Sequence, residues 1–149
     1  MIYLLVTITI IIGALMPVQA GLNAELGRIV ENRYFGAFIS FLTGTIGLTL
    51  VLLFQPNVLG SIKKIPFHSP LLLTGGILGA LFVVSSILLI PRLGATTMMG
   101  AFITGQLLMA VVMDHYGLLG LTVSPINWQK AFGVFLLFVG LALVLKKAA

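Results

Sequence analysis

The chain has 149 residues, of which 60% are hydrophobic and only 7% are charged, and its formal net charge is +5. Soluble domains carry about 25% charged residues, so this composition excludes a soluble protein and predicts an all-α, polytopic membrane bundle. Its eight basic residues stand singly or in pairs between apolar runs, as expected near lipid headgroups, and there is no cysteine, so nucleic-acid binding, disulfides and thiolate chemistry are excluded.

The first predicted span covers residues 2–22, and no basic segment precedes it, so we expect a permanent helix rather than a cleaved signal peptide. Pro17 cannot donate a hydrogen bond to the carbonyl of Gly13, so these two residues predict a helix kink. Gln19 and Asn23 lie four residues apart and share one helix face. The freed carbonyl and the two amides predict half of a polar binding site, although amides that join neighbouring helices would produce the same pattern.

The second predicted span, residues 35–54, is uncharged. The link before it carries charges spaced for ion pairs along a helical extension above the membrane surface: Glu25, Arg28, Glu31 and Arg33. The span itself presents small residues on one stripe, which predicts close helix packing: Gly36, Ser40, Gly44 and Gly47. His68 in the following loop has no second ligand nearby, so no metal site is predicted.

The third predicted span covers residues 71–90. Ser85 and Ser86 in its second half can bond back to carbonyls of their own helix, so they give only weak evidence for a site. Pro91 and Arg92 predict a short reversal, which would make the third and fourth spans an antiparallel hairpin.

The fourth predicted span runs without charge over residues 93–113, or roughly 30 Å of helix, which matches a bilayer core. At 100° per residue, one face carries an amide with soft apolar neighbours: Met99, Phe102, Gln106, Met109 and Met113. Adaptable thioethers around a single amide would suit a pocket for ligands of varied shape. Methionines that fill gaps around a glutamine bonded to another helix would explain the same face.

Asp114 and His115 follow, where this span leaves the hydrocarbon. An acid beside a membrane cavity can bind a proton or cation, so this pair is predicted to act in coupling or gating. A neighbouring lysine or His115 that holds the aspartate against the helix dipole is the alternative. Adjacent helical residues point about 100° apart, so the pair is a poor metal chelator. The segment 117–127 is predicted to lie at the membrane interface, and a fifth span, residues 128–145, begins at the interfacial anchor Trp128.

Five spans place the two termini on opposite sides of the membrane. Three basic residues then lie on one side of the membrane (Lys63, Lys64 and Lys130) and five on the other (Arg28, Arg33, Arg92, Lys146 and Lys147). This is a weak bias toward a cytoplasmic C-terminus, and it is compatible with insertion both ways. Two oppositely inserted copies would form the inverted repeat from which many carriers are built. Because five thin helices can hardly enclose a drug-sized cavity, we expect a homodimer, antiparallel if insertion is dual.

Three stretches resemble one known family: PVQAGLNAELGR (17–28), PRLGATT (91–97) and GQLLMAVVMDHYG (105–117). They are similar to the YdcZ-like family of the drug/metabolite transporter superfamily, and the resemblance covers nearly the whole chain. It implies a single five-helix domain, residues 1–149, in the bacterial inner membrane, which exports or carries small molecules and assembles in pairs. The residues of this sequence that match its motifs are Gln19, Asn23, Gln106, Asp114 and His115.

The predicted function is therefore a small-molecule transporter, an exporter that works by alternating access and needs no cofactor. A structural or accessory membrane subunit is the alternative, since it would need only packing stripes and anchors. An enzyme is not predicted, because no paired carboxylates, serine–histidine pair or metal ligands come together. The first span has no acid at its middle, unlike the small multidrug branch of the superfamily, so a coupling acid would have to be Glu25 or Asp114.

Overall fold

The computed structural model describes residues 2–56 and 58–146, with the side chain of residue 146 left out. These residues form an all-α structure without strands. The helices are α1 (Ile2–Ile29), α2 (Arg33–Leu53), α3 (Val58–Ile62), α4 (Gly75–Leu93), α5 (Ala95–Tyr116) and α6 (Trp128–Lys146), with short 3-10 turns at Pro70–Leu73 and Leu118–Gly120. All but α3 are long and apolar enough to cross a membrane, so the predicted set of five spans is confirmed.

Both ends of α4 differ from the sequence predictions. Helix α4 continues through Pro91 to Leu93, so the helix end predicted at residue 90 is wrong by three residues, while the antiparallel hairpin stays a prediction. Proline removes only one hydrogen bond, to the carbonyl of Ile87, whereas Gly94 has a positive φ of 75°, which a right-handed helix does not contain. The start predicted at residue 71 is a 3-10 turn, and α4 begins at Gly75.

The chain divides into two compact units, residues 1–91 and 92–149, and each is described by itself. In the first unit, a tight turn joins α1 to α2. The N–H of Asn32 donates to the carbonyl of Gly27 at 3.0 Å, and Glu31 adopts a positive φ of 54°. The side chain of Asn32 then caps α2 by accepting from the N–H groups of Tyr34 and Phe35. Helix α1 extends seven residues past the predicted span end, as the charged link indicated.

Small residues bring the backbones of α1 and α2 into direct contact. The buried positions at this crossing are Ala20, Asn23 and Gly27 on α1, and Gly36 and Ala37 on α2. A methyl group added at Gly36 would collide with the carbonyl oxygen of Asn23. The predicted stripe is thus packed at Gly36, whereas Gly44 and Gly47 meet no atom of the described residues within 4 Å.

Helix α4 completes the core of the first unit. Val83 and Ile87 are buried with Ala37 of α2. Partly buried neighbours surround them: Ala24, Phe82 and Val84. Farther along the same two helices, a Cβ at Gly79 of α4 would lie 3.3 Å from the ring of Phe41 on α2, so the small residue makes room for the aromatic side chain. This packing fixes which face of α4 meets α1 and α2.

The second unit is built on the α5–α6 pair. Gly117 ends α5 in the left-handed conformation, and its N–H bonds to the carbonyl of Met113. Asn127 precedes α6, and its side chain accepts from the N–H of Lys130 at 2.8 Å. The last helix therefore begins at Trp128, as predicted.

Replacing Gly36 by alanine is expected to lower the free energy of unfolding by about 1–3 kcal/mol, because the helices must separate to admit the methyl group. Unfolding in mixed micelles, followed by circular dichroism, measures the change. Gly44→Ala is the matched control in the same helix, and we expect it to leave stability unchanged or to raise it by up to about 1 kcal/mol, since Gly44 faces open space. Equal losses in the two variants would contradict the backbone contact.

Candidate functional site

The first unit contains a small niche between α1 and α4, which we call the Asn23 niche. Its volume is about 10 Å³, and its walls are Met16, Gln19, Ala20, Asn23, Phe82, Val83 and Ser86. Asn23 is 8% exposed and Ser86 is 1% exposed, whereas Gln19 is exposed at the rim. The two predicted amides of α1 are therefore brought together here with a serine from α4.

The hydrogen bonds of the niche are incomplete. The Nδ2 atom of Asn23 is buried and has no partner among the residues that the structure describes. Ser86 donates its hydroxyl hydrogen to the carbonyl of Phe82 at 2.8 Å, and Gln19 makes one long contact of 3.4 Å, from Nε2 to the hydroxyl of Ser40. Buried polar groups are normally paired, because an unpaired one loses its water without compensation. The Asn23 amide is thus the unusual group of this unit.

Helix α1 is continuous through Pro17. The missing N–H of this proline leaves the carbonyl of Gly13 without its usual donor, one turn below the niche. A Cβ at Gly13 would meet no described atom within 4 Å, so this stretch of the helix is open on that side. The kink at Gly13 and Pro17 stays a prediction.

A wider cleft of about 590 Å³ lies at the charged end of the first unit. Glu25 and Arg28 form an exposed ion pair on its rim, with a distance of 2.8 Å from Nε to Oε2, so the ion pairing predicted along the extension is confirmed for these two residues. Glu31 lies in the turn after α1, outside the helix. The apolar wall of the cleft comes from Ile87, Ile90 and Pro91, which sequence reasoning did not assign to any site.

In the second unit, the predicted ligand face of α5 is largely uncovered. Met99 and Phe102 are half-buried, whereas Gln106 and Met109 are exposed. The methionine that is buried is Met98, at 1% exposure, together with Thr97 and Thr104. Among the described residues of its own unit, the side chain of Gln106 has no hydrogen-bond partner. The face predicted to form a pocket therefore presents a free amide.

A groove of about 640 Å³ in the same unit was not predicted from the sequence. It is lined by Leu93, Gly94, Ala95, Thr96, Thr97, Leu143 and Val144. The only sequence signal was the pair of adjacent threonines after Gly94, which hydropathy patterns do not single out.

Asp114 and His115 belong to a third polar group, which we call the loop clamp: Asp114, His115, Ser124 and Lys130. The carbonyl of Asp114 accepts from the N–H of Ser124 at 2.8 Å, and Nδ1 of His115 accepts from the N–H of Ile126 at 3.1 Å. The Nζ atom of Lys130 donates to the carbonyl and hydroxyl of Ser124, both at 2.8 Å, and lies 3.6 Å from Oδ2 of Asp114. The clamp ties segment 117–127 to the end of α5.

The loop clamp contains the neighbouring lysine that could hold Asp114 against the helix dipole. Asp114 and His115 lie in the last turn of α5, which ends at Tyr116, three residues beyond the predicted span end. Lys130 gives the Asp114 side chain a structural partner, and the N–H of Ile126 gives one to the His115 side chain, while the coupling role of both residues stays a prediction. Over the residues that the structure describes, no group of histidines and acids is arranged to hold a metal ion.

Replacing Lys130 by methionine removes three contacts of the loop clamp and is expected to loosen segment 117–127. Hydrogen exchange at the amides of Ser124 and Ile126 should accelerate roughly two- to fivefold, since a partly exposed ion pair contributes about 0.5–1 kcal/mol. Mass spectrometry of deuterated peptides measures the rates. Lys64→Met in the other basic loop is the control and should leave them unchanged; unaltered exchange in both variants would show that the lysine does not hold the segment.

Comparison with known proteins places almost the whole chain in one family. A family model described as "Putative inner membrane exporter, YdcZ" matches residues 4–143. No curated protein and no solved structure matches the chain.

Proposed function

The chain belongs to the YdcZ family of inner-membrane exporters, and from this premise we propose that it carries small molecules across the inner membrane by alternating access. The family description gives the coarse activity and the membrane, and it points away from an enzyme. The substrate, the assembly and the residues that act are the parts that we propose.

The observation that carries the proposal is the incomplete hydrogen bonding of the side-chain amides of α1. A subunit that only fills space needs its buried amides to be mutually bonded, because an unpaired amide destabilises the fold. Asn23 Nδ2 is buried without a partner among the described residues, and Gln19 makes only a 3.4 Å contact. An unpaired amide group at Asn23 and a weakly bonded one at Gln19 favour a site that is completed by the polar group of a carried molecule.

We assign the site residues accordingly. Gln19 and Asn23 offer hydrogen bonds to the substrate, as does Gln106 on α5. Met99, Phe102 and Met109 offer adaptable apolar contact next to Gln106. Asp114 and His115 would act in coupling or gating through the loop clamp, which joins the end of α5 to segment 117–127.

We further propose that the carrier is a homodimer, antiparallel if the chain inserts in both orientations. The most apolar stretch of α1 and that of α6 contain no buried residue. Lipid can cover these apolar surfaces, but it cannot bond the exposed amide of Gln106, which lies in the middle of α5. A second copy can supply that partner, and two inverted copies would supply the symmetry on which alternating access relies.

Replacing Gln106 by leucine tests the site. A thermal-shift screen of metabolites and drugs first identifies a ligand, because binding raises apparent stability by mass action. Counterflow of that ligand in proteoliposomes should then fall roughly tenfold in the variant, the equivalent of one lost hydrogen bond of about 1.4 kcal/mol. Gln55→Leu, in the loop after α2, is the control and should keep the wild-type rate. Unchanged flux in Gln106→Leu would remove this residue from the site.

Dual insertion predicts that the C-terminus lies inside the cell in some copies of the chain and outside in others. Alkaline phosphatase, active outside, and green fluorescent protein, fluorescent inside, are each fused after residue 149. Both fusions should give signal at comparable expression, since the basic residues divide three against five. Signal from only one of the two fusions would exclude the antiparallel dimer while leaving a parallel one.

A further inference from the structure

The Asn23 niche has a hydrogen-bond donor that needs an acceptor. The amide group of Asn23 lies at the α1–α2 crossing, and its Nδ2 atom is closed off from solvent without a partner among the described residues. The contact with Gly36 involves the backbone carbonyl of Asn23 and leaves its side-chain Nδ2 atom unpaired. An acceptor therefore has to come to the amide.

The other polar groups of the niche are suited to share such a ligand. The Ser86 hydroxyl uses its hydrogen on the carbonyl of Phe82, so its oxygen lone pairs remain available to accept. Gln19 directs Nε2 toward Ser40, which leaves its amide oxygen available at the rim. Asn23 thus supplies a donor, and two oxygens stand ready to accept any hydrogen that the ligand carries.

The size and charge of the niche limit the ligand. A volume of about 10 Å³ accommodates one water-sized group. None of the seven lining residues is ionisable, so the niche offers no counter-charge to a carboxylate or an ammonium group. The apolar walls, Met16, Ala20, Phe82 and Val83, would contact the part of a molecule that is attached to that group.

We infer that the Asn23 niche binds one uncharged oxygen atom, that of a water molecule in the free protein and that of a hydroxyl or carbonyl group of the carried molecule in the loaded protein. Ser86 is then a binding residue of the carrier, with Asn23. The second half of the inference rests on the proposed function, whereas the water does not. The substrate class that follows is a neutral, largely apolar molecule with an exposed oxygen.

Nuclear magnetic resonance of the protein in nanodiscs tests the niche directly. The chain has four asparagines, so ¹⁵N-asparagine labelling gives four side-chain amide signals, and Asn23→Leu identifies the one from the niche. In the free protein, the Asn23 amide protons should show cross-peaks to water. Absence of these cross-peaks would mean a dry niche and would overturn the inference.

Benzyl alcohol and toluene are the probes for the loaded state. They share an aromatic ring and both enter lipid, but only benzyl alcohol has an oxygen. Benzyl alcohol should shift the Asn23 signal saturably and replace its water cross-peak, while toluene and the charged analogue benzylammonium should not. Equal shifts with toluene would show that the ring, rather than the oxygen, is recognised.

Ser85 provides a matched control for Ser86, since it is the adjacent residue and does not line the niche. Ser86→Ala should weaken benzyl alcohol binding at least fivefold, and Ser85→Ala should not change it. Serine to alanine removes a single oxygen atom, so we expect both variants to fold even if Asn23→Leu destabilises the protein. Equal affinity in wild type and Ser86→Ala would remove Ser86 from the site.

These measurements do not require transport, so the two proposals can fail separately. Cross-peaks in a protein that moves no ligand across vesicles would keep the niche and reject the carrier. Ligand counterflow by a protein whose Asn23 amide contacts neither water nor benzyl alcohol would keep the carrier and reject the niche.

Discussion

The close contact between the backbones of α1 and α2 is the constraint on which the first unit depends. Gly36 lies against the carbonyl of Asn23, and a side chain at this position would force the helices apart. In lipid there is little hydrophobic drive to bring helices together, so close packing of small residues has to hold them. Asn23 also carries a buried side chain, at 8% exposure, and this side chain lines the niche. The helix contact and the candidate site therefore share one residue.

Two groups of polar residues show different chemistry. In the loop clamp, His115 and Lys130 bond to the backbone of segment 117–127, and the polar atoms hold the α5–α6 connection in place. In the Asn23 niche, a buried donor is left without a partner among the described residues. A cluster whose polar groups are all hydrogen-bonded stabilises the fold. A buried polar group without a partner destabilises it, and a bound ligand that supplies the partner offsets this loss. This difference is why we propose substrate binding at the niche and coupling or gating, without substrate contact, at the clamp.

The exposed amide of Gln106 is the observation behind the proposed dimer. A lone amide on a transmembrane helix is poorly solvated by lipid tails, so it is expected to meet protein or water. The middle of α6 carries only apolar side chains and can remain in lipid. The proposed dimer would cover the Gln106 amide and leave the surface of α6 to lipid.

The sequence by itself determined the membrane class, the five spans, the family, and two of the three residues whose side chains offer polar atoms to the niche, Gln19 and Asn23. Hydropathy and helical spacing are local properties, so they can be read without knowing which helix lies next to which. Only the tertiary structure decided that Ser86 completes the niche, that Met98 is buried in place of Met99, and that Lys130 holds Asp114. Which face of a helix is covered depends on the neighbour that packs against it, and that neighbour is chosen by contacts such as Gly36 against Asn23, which spacing alone does not reveal.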